Sequence, residues 1–191
     1  MFVATTKANG PSSTVTKPVW AEIPEGVEEI GPQAFEKIGS FTEVRFPSTL
    51  KKIGEKAFAG TALAHAEFPL SLQSVGMQAF SFCRSLSAVE FYDGLQTIAQ
   101  QAFEGCPIGD VYIPASVTTL GGDSFSAIST YQGQTPQSFR IDSANTHLLA
   151  DGVCLYTVAE DGLTLVKAYL PALKPMPNAE PAASLHSKDL A

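Results

Sequence analysis

The sequence predicts a repeat solenoid, mainly β with short helical turns, built from short stacked coils of nearly constant length. Phenylalanine recurs over five units at spacings of 23, 22, 23 and 22 along the chain, which sets the length of each coil. A branched aliphatic residue stands five positions before each of them, and a small residue stands directly before each. Such a fixed period predicts stacking, because one short unit cannot bury its apolar face alone. The phenylalanines are Phe35, Phe58, Phe80, Phe103 and Phe125, and the aliphatic residues are Ile30, Ile53, Val75, Ile98 and Leu120.

Each coil is predicted to contain a strand followed by a compact corner. Residues 44–47 alternate apolar and polar side chains, which is typical of a half-buried strand, and Pro47 ends it because proline lacks an amide donor. Gly54 is predicted to form a turn with a positive φ, so that Ala99, which replaces it in the fourth unit, should be strained or differently turned. Residues 54–60 have room for a single helical turn at most. Stacking then predicts one internal column of phenylalanine rings and a second column of aliphatic side chains.

Four segments are predicted along the chain. Residues 1–17 form an N-terminal tail or cap, residues 18–140 the solenoid of about five coils, residues 141–173 a β-hairpin region or C-terminal cap, and residues 174–191 a Pro- and Ala-rich tail. Within the third segment, Asp151-Gly152 and Asp161-Gly162 are typical of hairpin turns. The polar stretch 126–138 predicts an extended loop that interrupts the repeat before a strand resumes at residues 139–141.

Charge and composition exclude several classes of function. The chain has 12 basic and 19 acidic residues and a net charge of −7, so phosphate backbones and anionic membrane surfaces should repel it. We therefore expect no nucleic-acid partner. Its apolar runs are shorter than the ~18–20 residues of a membrane helix, so no direct membrane insertion is expected. Residues 1–10 lack the apolar stretch of a signal peptide, and an export signal, if one exists, should lie outside this sequence.

The sequence carries no catalytic or metal-binding motif, so we predict no enzyme activity, no cofactor and no metal site. It lacks a nucleophile elbow, a P-loop, a dinucleotide fingerprint and a histidine pair at helical spacing. His65, His147 and His186 are scattered, with no metal-ligand spacing. Asp142, Asn145 and Asp151 could supply calcium oxygens, but turn chemistry explains them more simply.

The cysteines of two adjacent coils are expected to be near neighbours. Cys83 and Cys106 lie one repeat apart, and we interpret them as buried reduced thiols in the core. A disulfide stays open as an alternative if their Cβ atoms approach within ~3.5–4.5 Å. Cys154 has no evident partner.

The outward side chains of the predicted concave sheet form the candidate ligand site, because neighbours along a strand point to opposite faces. One row consists of Glu22, Arg45, Glu67, Glu90, Tyr112 and Arg140, and the flanking row contains Trp20, Glu43, His65 and Asp110. Arg45 should compensate Glu22 and Glu67, whereas Glu67 beside Glu90 is an uncompensated pair that would suit a basic or polar ligand. Alternatively, these charges merely keep the sheet soluble. Trp20 favours binding, since aromatic residues are enriched at interaction sites, unless it packs under the N-terminal segment.

The repeating unit resembles the BspA-type (Treponema-type) leucine-rich repeat. The resemblance rests on Val44-Arg45-Phe46-Pro47, Ile53-Gly54 and Ala57-Phe58. Cys83 and Cys106 occupy the position, three residues after the phenylalanine, where that family often has cysteine. Residues 141–156 look like the β-hairpin insert that is often interleaved with these repeats. The resemblance covers about residues 18–173 and implies leucine-rich repeat coils stacked on a parallel concave sheet.

The resemblance also implies a function without chemistry. Members occur in surface and secreted proteins and are associated with adhesion, so we expect a recognition module that binds a protein or glycan through its concave face. The alternative is a structural spacer or self-assembly unit whose ends stack on further repeats. A cell-surface or secreted location is expected, or a cytoplasmic one if the chain is complete.

Overall fold

The computed structural model describes residues 19–126, 138–150, 154–159 and 162–168. The predicted segments 1–17 and 174–191, nearly all of the loop 126–138 and the Asp151-Gly152 turn lie outside the described residues. Within those residues the chain forms a β-solenoid of parallel strands followed by an antiparallel hairpin region, which confirms the predicted fold class. No helix in the described ranges is long and apolar enough to cross a membrane.

The solenoid has two rows of strands, a long row and a short row. The long row comprises β1 (Val19–Glu22), β3 (Phe41–Arg45), β5 (His65–Glu67), β7 (Ala88–Glu90), β9 (Asp110–Ile113) and β11 (Ser138–Ile141). The short row comprises β2 (Glu29–Ile30), β4 (Lys52–Ile53), β6 (Ser74–Val75), β8 (Thr97–Ile98) and β10 (Thr119–Leu120). The short strands form one continuous parallel sheet in the order β10-β8-β6-β4-β2.

The long row differs from the single concave sheet that the sequence predicts. Its strands pair in parallel as β1–β3, β5–β7 and β9–β11, which gives three two-stranded sheets among the described residues. Strands β5 and β7 have three residues each and so offer few backbone groups for ladders on both sides. Across the second gap, the Gly109 amide still donates to the Ser87 carbonyl oxygen at a long 3.4 Å. We call the outward side of this row the strand face.

The predicted core columns are confirmed. The rings of the five recurring phenylalanines stack almost parallel, with neighbouring centroids 5.0, 5.1, 5.2 and 5.2 Å apart. The aliphatic column lies in the short-strand sheet, where Ile30, Ile53, Val75, Ile98 and Leu120 are register partners and all buried. Both columns therefore continue from coil to coil through the whole stack.

A third column, which the sequence did not predict, runs beside the first one, with its ring planes steeply inclined to those of the first column. Phe46, Phe68 and Phe91 follow the long strands and stack with centroids 5.6 and 5.5 Å apart. Each also meets a ring of the first column edge-on, as Phe68 meets Phe80 at 5.6 Å and 71°. Edge-to-face pairs of this kind stabilise a core beyond the area they bury. The sequence does contain a pattern that predicts this column. A phenylalanine stands directly before the recurring proline in two units and before Tyr92 in a third.

The coil corners are turns of alternating handedness rather than helical turns, and residues 54–60 contain no helix. The residues two positions before each column phenylalanine have positive φ, and so do those two positions after the first four of them. Those before are Gln33, Lys56, Gln78, Gln101 and Asp123, and those after are Lys37, Gly60, Phe82 and Gly105. The alternation aims every second amide along the stack, so that Phe58 donates to Ala79 and Phe80 donates to Ala102, both at 2.7 Å. A helical turn would direct those amides back into its own coil.

Glycine at position 54 has a different role from the one predicted, since its φ is not positive. A Cβ there would lie 2.8 Å from the carbonyl oxygen of Ile30, and one at Gly76 would lie 2.8 Å from that of Ile53. The glycines allow consecutive coils to approach closely at this point, although Ala99 occupies the same position in the fourth coil. Ala99 is not differently turned either, because its amide donates to Val75 at 2.9 Å, as that of Gly76 does to Ile53 at 2.8 Å.

The side chain of Asn145 forms hydrogen bonds that join the hairpin region to the last coil. It consists of β12 (Leu148–Ala150), β13 (Cys154–Ala159) and β14 (Gly162–Ala168), antiparallel in that order. The side-chain amide of Asn145 donates to the carbonyls of Pro114 and Val117 at 3.0 and 2.9 Å. Its oxygen accepts from the amides of His147 and Leu148. Leu148 is thereby held in the core of the solenoid.

The two described cysteines are free and buried, which confirms their interpretation as reduced core thiols. The Cys106 thiol donates to the Phe80 carbonyl at 3.0 Å, and the Cys83 thiol donates to Phe58 at 3.1 Å. Burial raises the pKa of the Cys106 thiol well above its ordinary value, so it stays neutral near pH 7. The side chain of Cys154 lies outside the described residues.

Candidate functional site

The strand face brings the predicted site residues together in the predicted register. All ten side chains are exposed: Trp20, Glu22, Glu43, Arg45, His65, Glu67, Glu90, Asp110, Tyr112 and Arg140. Trp20 is opposite Glu43, Glu22 is opposite Arg45, Glu67 is opposite Glu90, and Tyr112 is opposite Arg140. Their placement on one surface follows from period-2 alternation in strands whose buried positions face the core. Whether they bind a ligand stays a prediction.

The charges near β3 are paired differently from the prediction. The Arg45 guanidinium forms an ion pair with Glu43 of its own strand, with Nε and Oε1 3.6 Å apart, instead of joining Glu22 to Glu67. Both side chains are largely exposed, so this pair contributes little to stability. Among the described residues Glu67 and Glu90 have no ion-pair partner, and they lie opposite each other on paired strands. Like charges in that position repel each other.

Tyr92 extends this acidic surface, and the sequence analysis did not include it. Its hydroxyl donates to the Glu90 carboxylate at 2.7 Å. The hydrogen bond to Glu90, with the negative charges of Glu90 and Glu67, raises the pKa of Tyr92. A further negative charge is disfavoured beside Glu67 and Glu90, whereas a positive charge would be stabilised. The available signal was that Tyr92 replaces the recurring proline, which leaves a hydrogen-bonding group at the end of β7.

An open groove of about 920 Å³ crosses the strand face where β3 and β5 are not hydrogen-bonded to each other. Glu43 and Arg45 line one side, and His65, Glu67 and Leu70 line the other. Leu70 is 71 % exposed and adds an apolar edge that the sequence analysis missed. Trp20, which is 62 % exposed, stands beside Glu43 on the neighbouring strand. The groove therefore combines carboxylates with large apolar side chains.

The far end of the strand face is occupied by contacts within the chain. The Tyr112 hydroxyl donates to the Asp142 carboxylate, and the Ala144 amide donates to the same carboxylate at 2.8 Å. The hydrogen bond from Tyr112 lowers the pKa of Asp142, and the same bond raises the pKa of Tyr112. Asp142 thus belongs to a turn and to a tether between strand and hairpin. The acidic surface at Glu67 and Glu90, in the middle of the strand face, instead offers a ligand two carboxylates without an ion-pair partner among the described residues.

The described part of the chain contains no metal-binding cluster. No group of three His, Cys, Asp or Glu side chains there could hold a metal ion. His65 lies on the strand face and His147 beside the hairpin turn, while His186 and Asp151 lie outside the described residues. Asp142 and Asn145 instead accept backbone amides close by in sequence, as turn chemistry requires.

Comparison with protein families decides the classification of this repeat. The family model of the BspA type leucine-rich repeat region matches residues 16–132 in six copies. This range is more than half of the 191 residues. This chain belongs to the BspA-type leucine-rich repeat family. The comparison with curated proteins gave no match.

Three solved structures of leucine-rich repeat proteins have a similar fold. The pneumococcal vaccine antigen PcpA is 27 % identical, with a TM-score of 0.65 over 75 % of this chain and 35 % of its own. A leucine-rich cell surface protein from Faecalibacterium prausnitzii A2-165 is 26 % identical, with a TM-score of 0.65 over 75 % of this chain and 36 % of its own. The T. pallidum leucine-rich repeat protein is 32 % identical, with a TM-score of 0.55 over 57 % of this chain and 54 % of its own. The chain spans about a third of the first two proteins and about half of the third.

Proposed function

We propose that this BspA-type chain is a non-enzymatic recognition module of a bacterial surface or secreted protein, and that its strand face binds a polypeptide with basic side chains. The observation that carries the proposal is the adjacent, unpaired Glu67 and Glu90 beside an open groove. A surface location is supported by the similarity to a cell surface protein from Faecalibacterium prausnitzii.

Electrostatics favours a cationic partner over a neutral one. A Lys or Arg side chain placed between the two carboxylates would replace their mutual repulsion by attraction. The net charge of −7 adds a longer-range attraction that accelerates encounter with a basic segment. Tyr92 would strengthen the site, because its hydroxyl already orients the Glu90 carboxylate.

Large exposed apolar side chains favour a polypeptide as the occupant. Trp20 and Leu70 flank the groove, and aromatic anchors dominate the binding energy of protein interfaces. A peptide with a basic residue and an apolar residue could contact the carboxylates and one of these side chains together. Trp20 is the only tryptophan of the chain, so its fluorescence reports binding directly.

Selection from a random peptide library on the immobilised chain tests the proposal. We expect the enriched peptides to carry Lys or Arg, and their affinity to fall at least about tenfold in the Glu67→Gln/Glu90→Gln variant. The matched control is Glu28→Gln/Glu29→Gln, which removes the same charge from carboxylates that pair with Lys51 and Lys52. The control should bind within about twofold of the wild type.

Two results would contradict the proposal. Enriched peptides without basic residues would overturn the electrostatic argument. Equal losses in both double variants would show that net charge, and not the strand face, attracts the peptide. The spacer or self-assembly alternative stays a prediction, and the same selection addresses it, because a spacer with no ligand of its own enriches no peptide.

A further inference from the structure

A second surface lies on the coil corners and shares no residue with the strand face. It is formed by the residues two positions after the column phenylalanines, namely Lys37, Gly60, Phe82 and Gly105, whose φ values are 60°, 70°, 59° and 73°. These residues stack in order, because the amides of Lys37, Gly60 and Phe82 each donate to the following coil at 2.7–2.8 Å. The backbone at this position thus repeats while the side chain changes from coil to coil.

Phe82 is the unusual member of this row. A positive φ is easy for glycine, which occupies the position in the coils before and after, but it strains a bulky side chain. Phe82 is 39 % exposed and makes no ring contact with another described aromatic residue. Stacking therefore does not compensate the strain, and burial of the ring compensates it only in part. An exposed residue kept in a strained conformation is a reason to look for a binding role.

Gly60 leaves a notch between the side chains of Lys37 and Phe82. Adjacent coils are spaced like paired strands, so residues two coils apart are separated by about 10 Å. The notch opens into a groove of about 470 Å³ whose floor contains Ala59 and Ser81. A Cβ at Gly60 would stand 3.6 Å from Cγ of Lys37, which shows that the lysine stem forms one wall. The volume is within the usual range of small-ligand sites.

The charged groups around the notch have a net charge close to zero. Lys37 and Lys56 line the groove together with Glu36 and Gln78. The Lys37 ammonium lies 3.4 Å from the Glu36 carboxylate, and that of Lys56 lies 3.4 Å from Glu55. The groove therefore presents donors and acceptors beside an aromatic ring without a strong field of either sign.

We propose that this corner groove binds a sugar ring of a neutral glycan, stacked on Phe82 and hydrogen-bonded by Lys37, Lys56 and Gln78. A pyranose ring has an apolar C–H face, which packs on an aromatic ring, and a rim of hydroxyl groups that need partners. The notch offers both in one place, and its balanced charge does not select for an anion. The site is independent of the strand face and of the peptide binding proposed there.

Saturation-transfer NMR with maltohexaose, cellohexaose, chitohexaose and xylohexaose tests the assignment. We expect at least one of these to bind the wild-type chain, and Phe82→Gly to weaken that binding at least about tenfold. The melting temperature of Phe82→Gly should change little, because the relief of strain by glycine offsets the loss of the partly buried ring. Gly60→Asn, which fills the notch with a residue that tolerates positive φ, should weaken binding as well. Met77→Ala is the matched control, since Met77 has the same 39 % exposure and does not line the groove.

Three results would overturn the proposal. One is that none of the four oligosaccharides binds at about 10 mM, a concentration that detects even very weak complexes. Another is that Phe82→Gly binds as well as the wild type. The third is binding of a sulfated oligosaccharide in place of all neutral ones, because that would assign the lysines to an anion. Glu67→Gln/Glu90→Gln should leave glycan binding unchanged, so this inference and the proposed function can fail separately.

Discussion

At the scale of single residues, side chains that look alike in the repeat serve different physical needs. Gly54 and Gly76 lie where a Cβ would meet the backbone of the preceding coil, whereas Gly60 lies where φ is positive. The repeat shows that glycine recurs, but the approach distance between coils decides which property of glycine is used. Sequence reasoning therefore located these positions correctly and assigned the wrong reason to Gly54.

The contact between Tyr112 and Asp142 has a pH dependence that can be measured. In Asp142→Asn the pKa of Tyr112 should return toward its ordinary value of 10.0, because the carboxylate that raises it is removed. The measurement is the difference in absorbance at about 295 nm between each protein and its Tyr112→Phe variant, where tyrosinate absorbs. An unchanged Tyr112 titration would show that the hydrogen bond does not form in solution.

The same contact should affect stability over a defined pH range. The pKa of Asp142 is lowered, so its contribution is complete above the ordinary value of 3.8 and is lost as the pH falls through the lowered pKa. The pKa of Tyr112 is raised, so its contribution is complete below 10.0 and is lost as the pH rises through the raised pKa. The difference in melting temperature between wild type and Asp142→Asn should therefore be constant between pH 3.8 and pH 10.0. It should become smaller at lower and at higher pH.

At the scale of secondary-structure elements, the stacked rings are the main source of order, since each coil contributes short strands and turns. Strands β2, β4, β6, β8 and β10 have two residues each and could not stand alone. Their aliphatic side chains and the phenylalanine columns join them across coils. The regular period of the repeat predicted two of these columns, because their members recur in register. The handedness of the corners was not predictable, because it depends on amides that bond to the neighbouring coil.

Removing one ring from the middle of the stack should destabilise the whole solenoid. Phe80 is fully buried and contacts Phe58 and Phe103 face to face. We expect Phe80→Ala to lower the free energy of unfolding by ~3–5 kcal/mol, through lost burial and the cavity that remains. Urea denaturation measures the change. Leu70→Ala, which shortens an exposed side chain, is the control and should change the stability by about 0.5 kcal/mol or less.

At the scale of the whole molecule, Asn145 is one of the side chains that attach the hairpin region to the solenoid, beside Leu148 and the contact between Tyr112 and Asp142. Asn145→Ala would remove the side-chain donor from the Pro114 and Val117 carbonyls and the side-chain acceptor from two backbone amides, at an expected cost of about 1–3 kcal/mol. In the Asn145→Ala protein, hydrogen exchange should be faster at the Leu148 amide than at the Ile53 amide in the solenoid. Asn145→Asp keeps the acceptor for His147 and Leu148 but loses both donors, so it separates the two halves of the contact.

The residues of the strand face were predicted together, because the alternation of apolar and polar side chains indicates which ones face the core. The recurring proline, replaced by Tyr92 in one unit, marks where each strand ends. It did not predict the groove beside Leu70 or the tether at Asp142. Both depend on how neighbouring strands meet, which the period of the repeat does not specify. The pairing of Arg45 with Glu43 was missed for the same reason, because the period does not specify which neighbouring carboxylate an arginine contacts.

Three alternate amides in each coil corner, from Gln33 to Gly105, donate to carbonyls of the next coil. The amides of Gly54, Gly76, Ala99 and Gly121 donate the other way, to the preceding coil. The first set gives a stack of corners a polarity, with acceptors at one end and donors at the other. Continuation of this set by a further corner is therefore directional and runs head to tail, the arrangement that builds rings or filaments.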